Sequence, residues 1–393
     1  MIKNPECNFC GKDKTQVKKL LAGNDNTHIC DSCVNLCYDI VNEETPKFAK
    51  QINLSPKYLH SILDIHVIGQ DYAKKSISVA VSNHYKRLSN KSDVNIQKSN
   101  VLLMGPTGTG KTLIAQTLSK ALNVPFVITD ATTITESGYA GDDAEVLIQR
   151  LFQEADYDAA MTEKGIIYVD EIDKKAKRND HVSLSRDVSG EGVQQSLLKL
   201  MEGTVISVPN KPNVSPEKVD IDTTNILFIV GGAFVGIEDT VMQRVGKNKI
   251  GFTDENQKNV KLNWKRYLQT TDMVKYGLIP EFVGRLPSIN ILDELDKNDL
   301  IKILTEPKDS IISQITALFA MDGIQIEFDK GSLEAVADTA IKQNLGARGL
   351  RKILDSSLID IQYELEDLNK QGYTKIVVQK ETITGGKKPV LIK

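Results

Sequence analysis

The stretch Gly105 to Thr112, GPTGTGKT, spaces glycines, a lysine and a hydroxyl in the order that grips a polyphosphate. It follows the apolar run Val101 to Met104 and precedes an amphipathic helical pattern, so the loop sits between a strand and a helix N-terminus. In such a loop the backbone N–H groups curl round the phosphates, Lys111 reaches the β and γ phosphates, and the Thr112 hydroxyl ligates Mg2+. Pro106, Thr107, Gly108, Thr109 and Gly110 make the cradle, and Leu113 follows directly. A phosphate cradle needs a partner acid at the end of another buried strand. GIIYVDEIDK supplies it: Ile166 to Val169 is the strand, Asp170 holds magnesium through its water shell, and Glu171 polarises the attacking water. These residues predict hydrolysis of ATP or GTP.

A second chemistry lies at the start of the chain. All five cysteines fall in the first 37 residues. Cys7 and Cys10 form one CxxC and Cys30 and Cys33 another, with 19 residues between the pairs, a spacing suited to a four-thiolate zinc site. Two CxxC turns close a tetrahedron around Zn2+ and leave no open position for catalysis, so the site is expected to be structural. Two disulfides or redox thiols are the other reading, and Cys37 or His28 stands near enough in sequence to substitute as a ligand.

The elements that must position these groups follow from length and pattern. A chain of 393 residues exceeds one ordinary core, so two or three domains are expected. A formal charge of -3 argues against a broad surface for nucleic acid or membrane. The opening residues lack the basic-then-apolar pattern of a secretory signal and no run of about 18 apolar residues occurs, so a cytoplasmic protein is expected. Alternating strand and helix patterns around the two phosphate motifs predict a parallel sheet covered on both faces. The polar, proline-bearing stretch after the cysteines reads as a linker, and the tail YTKIVVQKETITGGKKPVLIK as β-rich. The expected architecture is α/β: a zinc module (1–45), a linker (46–64), a P-loop large domain (65–290), and an α-helical small domain with C-terminal strands (291–393).

Further stretches narrow the field. VIGQDYAKKSISVAVSNHYKRL, SRDVSGEGVQQSLLKLMEGT, GLIPEFVGRLP and NLGARGLRKIL resemble the ClpX family of AAA+ protein unfoldases, as does a four-cysteine module ahead of the ATPase. The resemblance runs from Cys7 to the final KKPVLIK. It implies that Val67 and Ile68 pack against adenine, that Arg285 is an arginine finger reaching a neighbouring subunit's nucleotide, and that Arg348 is the sensor arginine of the small domain. Arginine suits the finger because its permanent charge stabilises charge developing on the transferred phosphoryl group. A finger supplied across an interface implies a ring, and the family assembles as a homohexamer.

The stretch TESGYAGDDAEV puts one aromatic, Tyr139, between glycines on a polar piece of chain. A loop tyrosine usually packs down. Here SGYAGD resembles the aromatic pore loop of the family, in which the tyrosine grips a translocating polypeptide, an aromatic being able to make large contacts with any sequence. Ala140 stands where the usual family form has valine, and RDVSGEG, with Val188, resembles the second pore loop. Ile250, Gly251 and Phe252 form an apolar tip in a polar insertion, a pattern suited to docking. In ClpX relatives such a tripeptide docks on the ClpP peptidase ring, and six weak tips together bind tightly. One departure is visible: VPNKPNVSPEKVDID lacks the Arg-Lys-His triplet many relatives carry at the channel entrance, which puts recognition of tags that need a basic entrance in doubt.

The sequence therefore predicts an ATP-driven unfoldase that uses ATP, Mg2+ and Zn2+, acts on unfolded or tagged proteins and their adaptors, and feeds a separate peptidase. It carries no GxSxG and no cysteine outside the zinc module, so proteolysis itself is assigned to the partner. Two alternatives remain: a nucleic-acid remodelling ATPase, which a lysine-lined pore would favour where this pore segment is acidic, and an unfoldase that works without a peptidase.

Overall fold

A computed structural model of the chain describes residues 5–24, 27–34, 37, 54–90, 93–94, 96–135, 142–176, 190–210, 217–247 and 264–393. Its contacts divide the chain into two compact units, Met1–Asn53 and Leu54–Lys393. In the first, strands β1 (Leu20–Ala22) and β2 (His28–Cys30) pair antiparallel, with Leu20 opposite Cys30. The buried residues of its cluster are Cys7, Cys30 and Cys33, with Val17, Leu20 and Ile29 packed against them. Among the described residues these few apolar groups bury little area with which to offset the entropy of ordering so short a segment.

The second unit opens with helix α1 (Pro56–His66), inside the stretch whose prolines and polar residues read as linker. Proline is well tolerated at the first helical position, and Leu59 and Leu63, four residues apart, are fully buried. Helix α2 (Asp71–Leu88) packs on α1. The central sheet contains β3 (Val101–Met104), β4 (Phe126–Asp130), β5 (Ile166–Asp170), β6 (Leu227–Gly232) and β7 (Ser288–Ile291), in the order β7-β3-β6-β5-β4. Every neighbouring pair is parallel, as expected from the alternating pattern. The central β3 and β6 are buried at every position, which both-face cover requires. Register brings Met104 opposite Gly232 and Asp130 opposite Asp170, so the carboxyl edge carries the phosphate loop and the acids together. Helices α3 (Lys111–Leu122), α4 (Ala144–Glu154) and α5 (Gly190–Glu202) contribute Leu118, Leu147, Leu151 and Leu197 to the buried interior.

Helices α6 (Ile237–Lys247) and α7 (Thr270–Tyr276) flank the insertion that carries Ile250 to Phe252. They are tied by a two-pronged pair: Arg244 Nε donates to Asp272 Oδ1 at 2.7 Å and its Nη2 to Oδ2 at 2.9 Å. The Asp272 side chain is 0% exposed, so removing it strands a largely buried guanidinium. Asp272→Ala is expected to cost about 3 kcal/mol. A urea titration checks this, and an unchanged midpoint would show that the pair contributes nothing.

The remaining residues build a second core. Helices α8 (Lys297–Thr305), α9 (Ile311–Met321), α10 (Lys330–Lys342) and α11 (Ala347–Tyr363) enclose Leu304, Phe319, Val336, Leu350, Leu354 and Leu358. Strands β8 (Gln325–Phe328), β9 (Lys375–Val378) and β10 (Val390–Ile392) form a small sheet in that order, parallel then antiparallel. The tail is less uniformly extended than its sequence suggests. Lys380–Ile383 is a helical turn, because Gln379 and Thr382 form a reciprocal capping box that satisfies its first amides.

Candidate functional site

The phosphate loop runs off the end of β3 into α3, and its shape depends on how closely another segment approaches. Gly108 has φ +82°, and a Cβ there would lie 3.0 Å from the Ala347 amide nitrogen at the start of α11. The converse holds at Gly346, where a Cβ would meet Thr107 O at 2.9 Å. Glycine at both positions lets the loop lie directly against the N-terminus of the C-terminal helix that carries Arg348.

Lys111 is almost fully buried, and its Nζ donates to Gly105 O at 2.7 Å and Pro106 O at 2.9 Å. Burial holds its ammonium below the usual lysine range, while the Asp170 carboxylate pulls the other way. The Thr112 hydroxyl donates to Asp170 Oδ2 at 3.1 Å, and Asp170 Oδ1 accepts the Glu171 N–H at 2.9 Å. Arg348 Nη2 lies 4.0 Å from Asp170 Oδ2. Glu171 sits in the left-handed region, at φ 58° and ψ 32°, and its carboxylate pairs with Lys174 one turn on. An ammonium, a hydroxyl, two carboxylates and a guanidinium therefore gather beside the phosphate loop. Oxygen donors of this kind suit a hard divalent cation, and the amides and Lys111 suit phosphate, so the residues fit a magnesium nucleotide.

Val67 closes one side: it is buried, and a Cβ on Gly110 would stand 3.7 Å from its Cγ1. Ile68 beside it is half-buried. The same segment is locked by Gln70, whose side-chain amide donates to Asp293 O at 2.8 Å and accepts from Asp293 N at 2.7 Å. That clamp fixes the VIGQ segment to the chain leaving β7.

Arg285 is not part of this cluster. Its Nε and Nη2 donate to Glu202 Oε1 at 3.0 and 2.7 Å, and its carbonyl accepts from Asn100 Nδ2 at 3.1 Å. Asn100 precedes β3 and Gly105 follows it, so the Arg285 backbone is tied to the end of β3 opposite the phosphate loop. Tyr139, Ala140, Val188, Ile250, Gly251 and Phe252 lie outside the described residues. The stretch without the Arg-Lys-His triplet begins and ends in an antiparallel ribbon, Val205–Pro209 against Lys218–Asp222 with Val208 opposite Val219.

Two residues of the site were not singled out by sequence. Asp173 accepts from the Ala233 and Phe234 amides at 3.1 and 3.2 Å, pinning the turn after β6 to the acids after β5. Tyr168 is fully buried beneath Asp170, and burial first, then the Asp170 charge, pushes its phenol up from the ordinary value. The only signal for either was its place in GIIYVDEIDK.

In the first unit the Sγ atoms of Cys7, Cys10, Cys30 and Cys33 all lie within 4.8 Å of one another, the Cys10 and Cys30 sulfurs 3.6 Å apart. Four sulfurs around Zn2+ at 2.3 Å would stand about 3.8 Å apart, so the set fits a tetrahedral site. The cysteines are free thiols, not disulfides. The Cys30 and Cys33 amides point at Cys7 Sγ and Cys30 Sγ, at 3.3 and 3.4 Å. Among the described residues neither Cys37 nor His28 joins the cluster.

A parallel sheet with a phosphate loop, paired acids and a C-terminal helical part carrying an arginine onto that loop defines a AAA-type ATPase. Residues 96–289 match the model for the AAA domain (Cdc48 subfamily), and residues 295–365 that for the C-terminal, D2-small domain of ClpB protein. Residues 5–43 match the ClpX C4-type zinc finger. The chain is 46% identical over 389 residues to the ATP-dependent Clp protease ATP-binding subunit ClpX of Borrelia duttonii (strain Ly), covering 96% of this chain and 90% of that protein. The chain belongs to the ClpX family.

Proposed function

We propose that the chain is an ATP-driven protein unfoldase and translocase that acts in the cytoplasm as a homohexamer and delivers substrates to a ClpP-type peptidase. The observation that carries this reading is the convergence of Lys111, Thr112, Asp170 and Glu171 with Arg348. A nucleotide held there touches both the large part and the small part's helix α11, which carries Arg348, so its state is coupled to the angle between them. In domain terms the reading assigns a zinc module to residues 1–45 and an ATPase large part ending near 290, with α1 joined to it, then a small part from 291.

Lys111 and the loop amides bind the phosphates, Thr112 and Asp170 hold Mg2+, Glu171 orients and deprotonates water, and Val67 and Ile68 face the base. Bound Mg2+ would supply charge neutralisation at the phosphates. Arg285 serves the neighbouring subunit, a role consistent with a guanidinium that engages Glu202 and none of the residues of its own phosphate site. Tyr139, Ala140 and Val188 line the pore, and Ile250, Gly251 and Phe252 dock the peptidase. Substrates are unfolded or tagged polypeptides, delivered directly or by adaptors; direct nucleic-acid binding is not part of the reading. Among the described residues no helix is long and apolar enough to cross a membrane.

The test is ATP-dependent loss of fluorescence from a stably folded reporter bearing an unstructured tag. The parent chain is expected to unfold it only with ATP, Tyr139→Ala to lose at least tenfold in rate, and Phe252→Ala to unfold normally but degrade nothing when a ClpP-type peptidase is added. ATP hydrolysis without unfolding of any tagged substrate would sink the reading and favour nucleic-acid remodelling.

A further inference from the structure

Tyr168 and Asp170 stand two apart on β5, so both side chains leave the same face of the sheet. On the adjacent β6, Val230 pairs with Val169, and the next residue is Gly231. A Cβ built on Gly231 would overlap the Tyr168 hydroxyl oxygen, and would lie 2.8 Å from its Cζ and 3.0 Å from Asp170 Oδ1. The space that any other residue would fill beside the strand is therefore taken by the phenol. A glycine inside a central strand often marks such a close approach.

The Tyr168 hydroxyl lies alongside Thr112 and Asp170, yet it makes no hydrogen bond of full geometry. An unpaired buried hydroxyl is uncommon and costly. Asp170 already accepts from Glu171 N on Oδ1 and from Thr112 on Oδ2, and a carboxylate has about four acceptor positions, which leaves room for a third donor. Of a phenol and a carboxylate set side by side, the phenol is the one that can donate and the carboxylate the one that accepts.

We infer that Tyr168 is a positioning residue for the cation site: its hydroxyl, lodged against Gly231, holds the Asp170 carboxylate in the direction that presents oxygen beside Thr112. The inference rests on the magnesium-nucleotide reading given above. Partners that orient metal-holding carboxylates typically change metal affinity by about 10–100-fold when removed. Tyr168→Phe keeps the ring that fills the space and deletes only the donor.

The experiment titrates MgCl2 into the full-length protein with the fluorescent N-methylanthraniloyl derivative of ATP, for the parent and Tyr168→Phe. Binding in excess chelator and melting without nucleotide are measured alongside. The expected result is a rise of about tenfold in the Mg2+ concentration for half-maximal change, with metal-free binding and melting unaltered. An unchanged Mg2+ midpoint overturns the inference. So does a lower melting temperature with an unchanged midpoint, which makes the hydroxyl purely structural. If the parent itself shows no Mg2+-dependent binding, the nucleotide-site reading falls, and this inference with it. If the parent responds and the variant matches it, only the role of Tyr168 falls.

Discussion

Glu171→Gln is expected to bind ATP as the parent does and to turn it over about 10²–10⁴-fold more slowly, the range that a positioned general base contributes. At 1.36 kcal/mol per factor of ten, that is about 3–5 kcal/mol of barrier. Glutamine keeps the length and much of the hydrogen bonding of glutamate, but its amide neither attracts nor accepts a proton from water as a carboxylate does. The rest of the site stays in place, because Lys111 is held by Gly105 O and Pro106 O and Thr112 by Asp170. The Lys174 pair that is lost is partly exposed and contributes little to stability. Phosphate release under saturating ATP, beside binding of a fluorescent analogue, separates the two effects. Turnover within tenfold of the parent would remove Glu171 from the role of base. Loss of binding instead would make the residue architectural.

The same residues show what sequence carries and what it does not. Lys111, Thr112, Asp170 and Glu171 were legible because each motif is contiguous, with a strand on one side and a helical turn on the other. The four cysteines were legible because each CxxC turn aims two sulfurs by itself. Tyr168 was not, since its meaning depends on β6 lying next to β5 and on Gly231 leaving room for a hydroxyl. Asp173 likewise acts on amides about 60 residues away, across the same strand pair. Val67 was assigned by family resemblance alone; the structure puts it against Gly110, a contact that no local pattern announces. The helix from Pro56 was not legible, because proline and charge look the same in a linker and in a helix's first turn. Arg285 is the opposite case: its type and context were legible, while within its own chain the guanidinium meets Glu202.

Removing zinc is expected to unfold the first unit while leaving the second folded. Among the described residues, the buried cluster of the first unit is three cysteines with three partly buried aliphatic side chains against them, little apolar area to hold a fold. Structural four-ligand zinc sites supply about 10–16 kcal/mol of apparent binding free energy at neutral pH, which in so small a unit is the folding free energy. The second unit draws on separate cores around β3–β6 and around α8–α11, with no cysteine in either. In the full-length protein, an excess of a strong chelator should release one zinc per chain into a colorimetric indicator and make the first 53 residues protease-sensitive. The main melting transition, from Leu54–Lys393, should stay within about 2 °C. Cys30→Ser should give the same outcome without chelator, since Cys30 accepts a neighbouring amide, sends its own amide to Cys7 Sγ, and is the most buried of the four. Retention of a folded, protease-resistant first unit in metal-free protein would mean that aliphatic packing, not the metal, holds it. A downward shift of the main transition would show that the two units do not fold independently.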